Sequence, residues 1–121
     1  SSMTPVIIFN QDGSFFAAIG SPGGPKIISY VAQTVIALLD YGLSMQEAIN
    51  LPRHVTTGKT LELEADTTIS ELKPKMEAMG HRVILKRQHS GLHGIRLLRD
   101  NSIEILDGGA DPRREGRVLL Q

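Results

Sequence analysis

Two short apolar runs separated by turn residues open the chain. Residues 5–9 and 15–19 are rich in β-branched and aromatic side chains, and the residues between them carry turn chemistry, Asn10-Gln11-Asp12-Gly13. This pattern predicts a β-hairpin. The apolar side chains occupy consecutive positions and do not alternate with polar ones, which is typical of strands covered on both faces. We therefore expect the hairpin in the interior of a layered α/β structure.

The glycine-rich residues 20–24 end the second apolar run, and a helical pattern of apolar residues follows them. From Pro25 onward the apolar positions recur at intervals of three and four residues, as in an amphipathic helix: Ile27, Ile28, Val31, Val35, Leu38 and Leu39. Pro25 suits a first helical turn because its missing N–H would have no partner there, and Gly42 is typical of a position just beyond a helix end. The pattern predicts a helix over residues 25–40 whose apolar stripe packs against the hairpin.

Two capping boxes predict further helices. Ser44 with Glu47 opens a short helix, because the serine hydroxyl is placed to accept from the backbone N–H three residues later. Thr68 with Glu71 has the same spacing and predicts a helix that closes at Gly80. We therefore expect each hydroxyl to cap the helix that it precedes.

The remaining apolar segments predict strands. Residues 60–64 alternate as in a half-buried strand, and residues 82–86 form a second strand candidate. Residues 94–98 and 103–106 flank turn residues and predict another hairpin. From Gly108 onward the sequence is rich in glycine and arginine and predicts a loop.

Composition narrows the function classes. Hydrophobic residues make up 40% and charged residues 21% of the 121 residues, which is ordinary for a folded protein, and with no repeat or linker we expect one domain over residues 1–121. Lys+Arg and Asp+Glu are both 13, so we expect no binding to nucleic acid or anionic membrane. The longest apolar stretch, residues 27–39, is shorter than the ~20 residues that a membrane helix needs, so it predicts a buried helix. The absence of cysteine excludes disulfides and thiol catalysis.

The glycine-rich break is the strongest local sign of chemistry. Backbone N–H groups at a helix start have no helical partners, so the loop could hold an anion or an oxyanion, and glycine leaves the approach open. A tight strand-to-helix connection is the alternative interpretation. A P-loop is excluded, because the Lys-Ser/Thr pair after the second glycine is absent.

Histidine and arginine clusters give weaker signals. His89 and His93 are four residues apart, but Ser90-Gly91 between them breaks a helix and no third ligand is evident, so we predict no metal site and no cofactor. His54 suits a surface or hydrogen-bonding role. The late arginines predict a solvated tail more than an anion site: Arg113, Arg114 and Arg117.

Several motifs together resemble one family. They follow in order along almost the whole chain: Ser1-Ser2-Met3-Thr4-Pro5, Gly20-Ser21-Pro22-Gly23-Gly24, Asp40-Tyr41-Gly42-Leu43, Glu47-Ala48, Pro52-Arg53-His54 and Asp111-Pro112-Arg113-Arg114. In order and spacing they are similar to the C-terminal part of the small subunit of γ-glutamyltranspeptidases. Linked motifs in register are far more specific than any one of them.

The resemblance implies a fragment of the αββα fold of N-terminal-nucleophile hydrolases. It also implies a precursor that cleaves itself and exposes a threonine whose free α-amine serves as its base. That threonine would take the γ-glutamyl group from a glutathione-like substrate and pass it to water, an amino acid or a peptide. The resemblance implies that Ser1 and Ser2 hold the substrate α-carboxylate and that the backbone amides of Gly23 and Gly24 hold the oxyanion. It further implies a large subunit from the same precursor as partner and a periplasmic or extracellular location.

The family's nucleophilic threonine lies upstream of the serine pair. We therefore expect residues 1–121 alone to be inactive, and to expose sheet surface through which the chain self-associates. Ser1 as an N-terminal nucleophile is an alternative that the matched motif disfavours. Two other functions stay open: an acylase acting on other amides, such as β-lactam side chains or γ-linked polyglutamate, and a non-catalytic anion-binding module.

Overall fold

Residues 4–120, the part of the chain that the computed structural model describes, form two β-sheets with helices packed on them. Ser1 and Ser2 lie outside the described residues. In chain order the strands are β1 (Val6–Phe9), β2 (Phe15–Gly20), β3 (His54–Thr57), β4 (Thr60–Glu64), β5 (Arg82–Lys86), β6 (His93–Asp100) and β7 (Ile103–Ala110). The helices are α1 (Ile27–Leu39), α2 (Met45–Asn50) and α3 (Lys73–Ala78), with 3₁₀ turns at Gly24–Lys26 and Thr68–Leu72.

The larger sheet has the order β1-β2-β6-β7 and is antiparallel throughout. Both predicted hairpins are therefore confirmed, and the second one extends to Ala110, beyond the predicted start of the loop at Gly108. The smaller sheet has the order β3-β4-β5, with β3 antiparallel and β5 parallel to β4. The connection from β4 to β5 passes through the 3₁₀ turn and α3, as a parallel pair requires.

Helix α1 forms where the apolar period predicted it and supplies the largest share of the core. Its buried side chains lie along one stripe: Ile27, Tyr30, Val31, Thr34, Ala37 and Leu38. Four of them, Ile27, Tyr30, Val31 and Leu38, belong to one buried cluster with Ala17 and Ile19 of β2, as expected. Ile28 and Leu39, assigned to the stripe from the sequence, are at its margins and exposed, whereas the polar Tyr30 and Thr34 are inside. No helix of the described residues is long and apolar enough to cross a bilayer.

The first predicted capping box is confirmed and the second is wrong. Ser44 accepts from the Glu47 N–H, and Glu47 accepts from the Ser44 N–H. Around residue 68 the flanking residue is instead Thr67, whose hydroxyl donates to the carbonyl of Glu64 and caps nothing. The segment starts as a 3₁₀ turn, and α3 begins only at Lys73, with Pro74 in its first turn.

One face of the larger sheet is open. Val6 and Ile8 of β1 point toward the core, whereas Ile7 and Phe9 on the opposite face are each 61% exposed. Leu106 of β7 is also exposed. Within the described residues, β1 is an edge strand. The hairpin is thus covered on one face by this chain, and an apolar face and a free strand edge remain.

We predict that the isolated chain self-associates through this edge and face, because exposed apolar strands pair readily. Ile7→Glu should weaken association by at least about tenfold, since it would bury a charge without a partner. Ile28→Glu is the matched control, because Ile28 is 60% exposed but lies on α1. Sedimentation equilibrium and binding of an apolar dye measure the effect. A wild-type chain that stayed monomeric at high concentration without binding dye would contradict the prediction.

Candidate active site

The glycine turn, residues 21–24, joins the end of β2 to the helical segment. Gly23 has φ 142° and Gly24 has φ 61°, values that residues other than glycine rarely adopt. A Cβ atom on Gly23 would also lie 3.0 Å from Cε2 of Tyr30, whereas one on Gly24 would meet nothing within 4 Å. Gly23 is therefore required both by conformation and by close packing, and Gly24 by conformation alone.

The turn presents two successive backbone N–H groups at the start of the helical segment. Among the bonds that residues 4–120 make with one another, none is donated by the N–H of Gly23 or Gly24. Such amides are suited to an anionic ligand or to charge that develops during a reaction. The predicted placement of Gly23 and Gly24 between strand and helix is thus present in the structure.

One support of the turn is a set of hydrogen bonds that joins the helical segment to Gln88 and to Glu62 of the smaller sheet. The Tyr30 hydroxyl donates to Oε1 of Gln88 at 2.7 Å, and Nε2 of Gln88 donates to Oε2 of Glu62 at 3.2 Å. The same carboxylate oxygen accepts from Nζ of Lys26 at 2.5 Å. Burial alone would raise the pKa of Glu62, but the contacts with Lys26 and Gln88 hold that pKa below its ordinary value.

A second support comes from residues 88–92, the loop between β5 and β6. The Gly91 N–H donates to the Ser21 hydroxyl at 3.1 Å, and that hydroxyl donates to the carbonyl of Pro22 at 2.7 Å. A Cβ atom on Gly91 would lie 2.8 Å from both Pro22 Cγ and Arg114 Cδ, so the loop and the glycine turn are in close contact. Only glycine allows this approach without movement.

Asp111 fixes that loop from the other side. Its Oδ2 accepts from the Ser90 hydroxyl at 2.5 Å and from the Leu92 N–H at 3.1 Å. Its Oδ1 accepts from the backbone N–H and from Nη1 of Arg113, both at 3.0 Å. Burial alone would raise the pKa of Asp111, but the hydrogen bonds from Ser90, Arg113 and Leu92 outweigh it and hold the pKa below its ordinary value. Asp111 is therefore a buried carboxylate that remains charged.

Two arginines balance the buried acids. Arg113 makes a bidentate pair with Glu64, with Nε to Oε2 at 2.5 Å and Nη2 to Oε1 at 2.8 Å. Arg53 is completely buried; its Nη2 donates to the carbonyl of Ile49 at 2.6 Å and lies 3.9 Å from Oδ2 of Asp111. Burial, followed by repulsion from Arg113, lowers the pKa of Arg53 to about 10, so it is a cation at neutral pH. The prediction of a solvated tail is therefore wrong for Arg113.

The other predicted residues lie apart from this network or at its edge. His54 is exposed in β3, and its backbone N–H donates to the side chain of Gln33. His89 belongs to the loop, where its carbonyl accepts from Nε of Arg114, and Nδ1 of His93 is 3.2 Å from the carbonyl of Gly91. Among the described residues no group of three or more His, Asp or Glu side chains could hold a metal.

The family model described as gamma-glutamyltranspeptidase matches residues 1–120. The chain belongs to the γ-glutamyltranspeptidase family. Because the match extends over nearly all of the sequence, the glycine turn and the Asp111 network both lie inside the family region. The resemblance inferred from the linked motifs is confirmed.

Named relatives agree with this assignment. The glutathione hydrolase proenzyme of Escherichia coli is 38% identical over 115 residues, 93% of this chain and 19% of that protein. The acylase ACY 1 proenzyme of a Pseudomonas species is 31% identical over 116 residues, 96% of this chain and 20% of that protein. The chain thus spans about a fifth of the length of these curated relatives.

The fold is also that of the family. A mutant γ-glutamyltranspeptidase of Helicobacter pylori superposes with a TM-score of 0.86 and 28% identity, over 94% of this chain and 62% of that one. This enzyme and a second γ-glutamyltranspeptidase of known structure, inhibited with acivicin, have the N-terminal-nucleophile hydrolase fold. The expected layered α and β class is therefore confirmed.

The supports of the glycine turn were not predicted from sequence. Gln88 and Ser90 lie in a polar stretch whose sequence shows no helical or strand periodicity. Tyr30 falls on the apolar stripe of α1, where it resembles an ordinary core residue. The Asp111 motif contributed to the resemblance but carried no assigned role. A buried polar residue on an apolar helix face, such as Tyr30 or Thr34, is the one local signal that could have indicated a network.

We predict that Asp111→Asn destabilises the chain by about 3 kcal/mol at neutral pH, because it removes the acid that pairs with the buried Arg53 and one of the two acids that pair with Arg113. The folded pKa of Asp111 is lowered, so its contribution is present above the ordinary carboxyl pKa and is lost as the pH falls through the folded pKa. The difference between wild type and Asp111→Asn should therefore shrink in acid.

Urea unfolding from pH 7 to pH 3 at low protein concentration measures this difference. Asp40→Asn is the control, since Asp40 is exposed at the end of α1 and should change stability by less than about 0.5 kcal/mol. A neutral-pH difference no larger than that of the control would show that the Asp111 network does not stabilise the fold.

Proposed function

We propose that this chain is the C-terminal portion of the small subunit of a γ-glutamyltranspeptidase-like enzyme. The parent enzyme would cleave the γ-glutamyl amide bond of glutathione-like compounds and transfer the group to water, an amino acid or a peptide. The observation that carries the proposal is the glycine turn in a chain of this family: its two amides donate no hydrogen bond within residues 4–120, and contacts with Tyr30 and with Gly91 support it.

In the proposed reaction a threonine upstream of Ser1 is the nucleophile. Its hydroxyl oxygen attacks the γ-glutamyl carbonyl carbon while its α-amine takes the hydroxyl proton. The amides of Gly23 and Gly24 donate to the oxyanion that forms, and its collapse breaks the amide bond and returns the proton to the leaving amine. Water or an acceptor amine then attacks the carbonyl carbon of the acyl-threonine ester and gives a proton to the α-amine. A second oxyanion forms at the same amides, and its collapse breaks the ester bond and returns the proton to the threonine oxygen.

Ser1 and Ser2 are proposed to hold the substrate α-carboxylate. The hairpin register supports this role, because Val6 pairs with Ile19. The segment that enters β1 therefore lies at the same end of the sheet as the turn that leaves β2. A substrate could reach from one to the other without crossing the sheet.

The remainder of the precursor, including its large subunit, is the proposed partner of the open sheet face. The relatives named as proenzymes are about five times as long as this chain, and Ile7, Phe9 and Leu106 form an apolar surface that needs a cover. A related acylase is the second candidate, favoured by the similarity to the acylase ACY 1 proenzyme over 96% of this chain. Comparing rates on a γ-glutamyl anilide and on a β-lactam side-chain amide would separate the two.

We predict that residues 1–121 alone do not turn over a γ-glutamyl anilide, because the proposed nucleophile is not among them. Release of the anilide chromophore should equal the buffer rate. Turnover above that rate, abolished by Ser1→Ala, would overturn the prediction and favour Ser1 as the nucleophile.

In the processed parent enzyme we predict different effects for the two groups of residues. Gly24→Val should lower kcat by about 10²-fold or more, because it displaces donors that strengthen in the transition state. Removing both hydroxyls, Ser1→Ala with Ser2→Ala, should chiefly raise KM, because a carboxylate contact is made in ground and transition states alike.

Gly42→Val is the matched control for backbone strain. Gly42 has φ 65°, close to the 61° of Gly24, and a Cβ atom there also meets nothing within 4 Å. A folded Gly24→Val enzyme with the kcat of Gly42→Val would remove the oxyanion assignment. An unchanged KM in the double serine variant would remove the carboxylate assignment.

A further inference from the structure

A closed circuit of side chains begins and ends on the helical segment that carries the glycine turn. It runs from Tyr30 on α1 through Gln88 to Glu62, and it returns to Lys26, two residues after Gly24. The partners are Glu62 in β4 of the smaller sheet and Gln88 in the loop that follows β5. The circuit therefore ties the start of this segment, at Lys26 and Tyr30, to a separate part of the fold.

The ring of Tyr30 is the surface on which Gly23 rests. A Cβ atom on Gly23 would lie only 3.0 Å from Cε2 and 3.4 Å from Cδ2 of that ring. The side chain is 2% exposed, and its hydroxyl bond to Gln88 opposes rotation of the ring away from the turn. The position of the Gly23 backbone is thus set by where this ring is held.

The direction of each hydrogen bond in the circuit is determined. Glu62 can only accept, because Lys26 keeps it ionised, so Gln88 must donate to it through Nε2 and accept through Oε1. Because Oε1 of Gln88 is an acceptor, the Tyr30 hydroxyl must be protonated to donate to it. Burial raises the pKa of that hydroxyl, which favours the protonated form. An apolar side chain of similar size could fill the space under Gly23 but could not be held in one orientation by such a circuit.

We propose that Tyr30 is a positioning residue for the amides of the glycine turn, acting through its ring on Gly23 and through its hydroxyl on Gln88 and Glu62. This inference rests on the proposed oxyanion role of Gly23 and Gly24. It adds that the geometry of those donors depends on a hydroxyl that touches no substrate. Small displacements of positioned donors are costly to a reaction, which makes the effect measurable.

Tyr30→Phe in the processed parent enzyme tests the proposal, because it keeps the ring and removes only the hydroxyl. Active sites are first titrated with a covalent γ-glutamyl-site reagent, and single-turnover rates are expressed per titrated site. Acylation and deacylation should both slow by about 5- to 10-fold, because each passes through an oxyanion at the same amides. The donor dissociation constant from the acylation series should stay unchanged.

The chain provides a matched control and a second route. Tyr41→Phe removes the same hydroxyl from the other tyrosine, which is 68% exposed beyond the end of α1, and should leave both rates unchanged. Gln88→Leu breaks the circuit while Tyr30 stays intact, so it should reproduce the loss. The double variant Tyr30→Phe with Gln88→Leu should be no slower than the slower single variant, since both single changes break the same bond between Tyr30 and Gln88. If Tyr30→Phe does not fold, Gln88→Leu alone decides.

The outcomes separate this inference from the proposed function. Unchanged per-site rates in Tyr30→Phe and Gln88→Leu, or a loss only in the fraction of active sites, would show a merely structural role and overturn the inference. If Gly24→Val slows both steps while Tyr30→Phe slows neither, the oxyanion role stands and the positioning role is lost. If Gly24→Val behaves as Gly42→Val does, the oxyanion role itself is lost.

Discussion

The buried carboxylate of Asp111 is the contact on which most of the described arrangement depends. It accepts hydrogen bonds from Ser90, from Leu92 and twice from Arg113, and Arg53 lies near it. One side chain thus connects the loop after β5, the segment after β7 and Arg53, which precedes β3. An ionised carboxylate without these donors would be costly to bury, so the three segments are compatible with the core only when they meet in this way.

A chain of short contacts connects Asp111 to the glycine turn. Ser90 and Leu92 bind Asp111, the Gly91 N–H donates to Ser21, and the ring of Tyr30 packs against Gly23. Replacing such a polar interior by apolar side chains often preserves or raises stability. What the polar groups add is direction, because each hydrogen bond restricts the distance and the angle between the two groups that it joins. That property matters more for amides that must face a developing charge than for the stability of the fold.

Local signals in the sequence were sufficient for much of this fold and insufficient for the site's supports. The hairpins, α1 and the Ser44 capping box follow from residues a few positions apart, and the glycine turn was identified from its own composition. The Tyr30 partner is 58 positions away and the Ser21 partner 70, distances over which no pattern is visible. For the same reason Arg113 was assigned to a solvated tail, since its acid, Glu64, lies in a distant strand. Thr68 failed as a cap because it is itself the first residue of the 3₁₀ turn, and α3 begins only at Lys73, with Pro74 in its first turn.

The pairing of β2 with β6 also has a consequence for the order in which the molecule forms. Gly20 pairs with His93, and the whole smaller sheet lies between them in the chain. The two hairpins involve near neighbours and can form within microseconds, whereas joining them requires closure of a long loop and comes later. Loop 88–92 reaches Ser21 only in that second stage. We therefore expect the glycine turn to acquire its final shape late in folding, after most of the secondary structure exists.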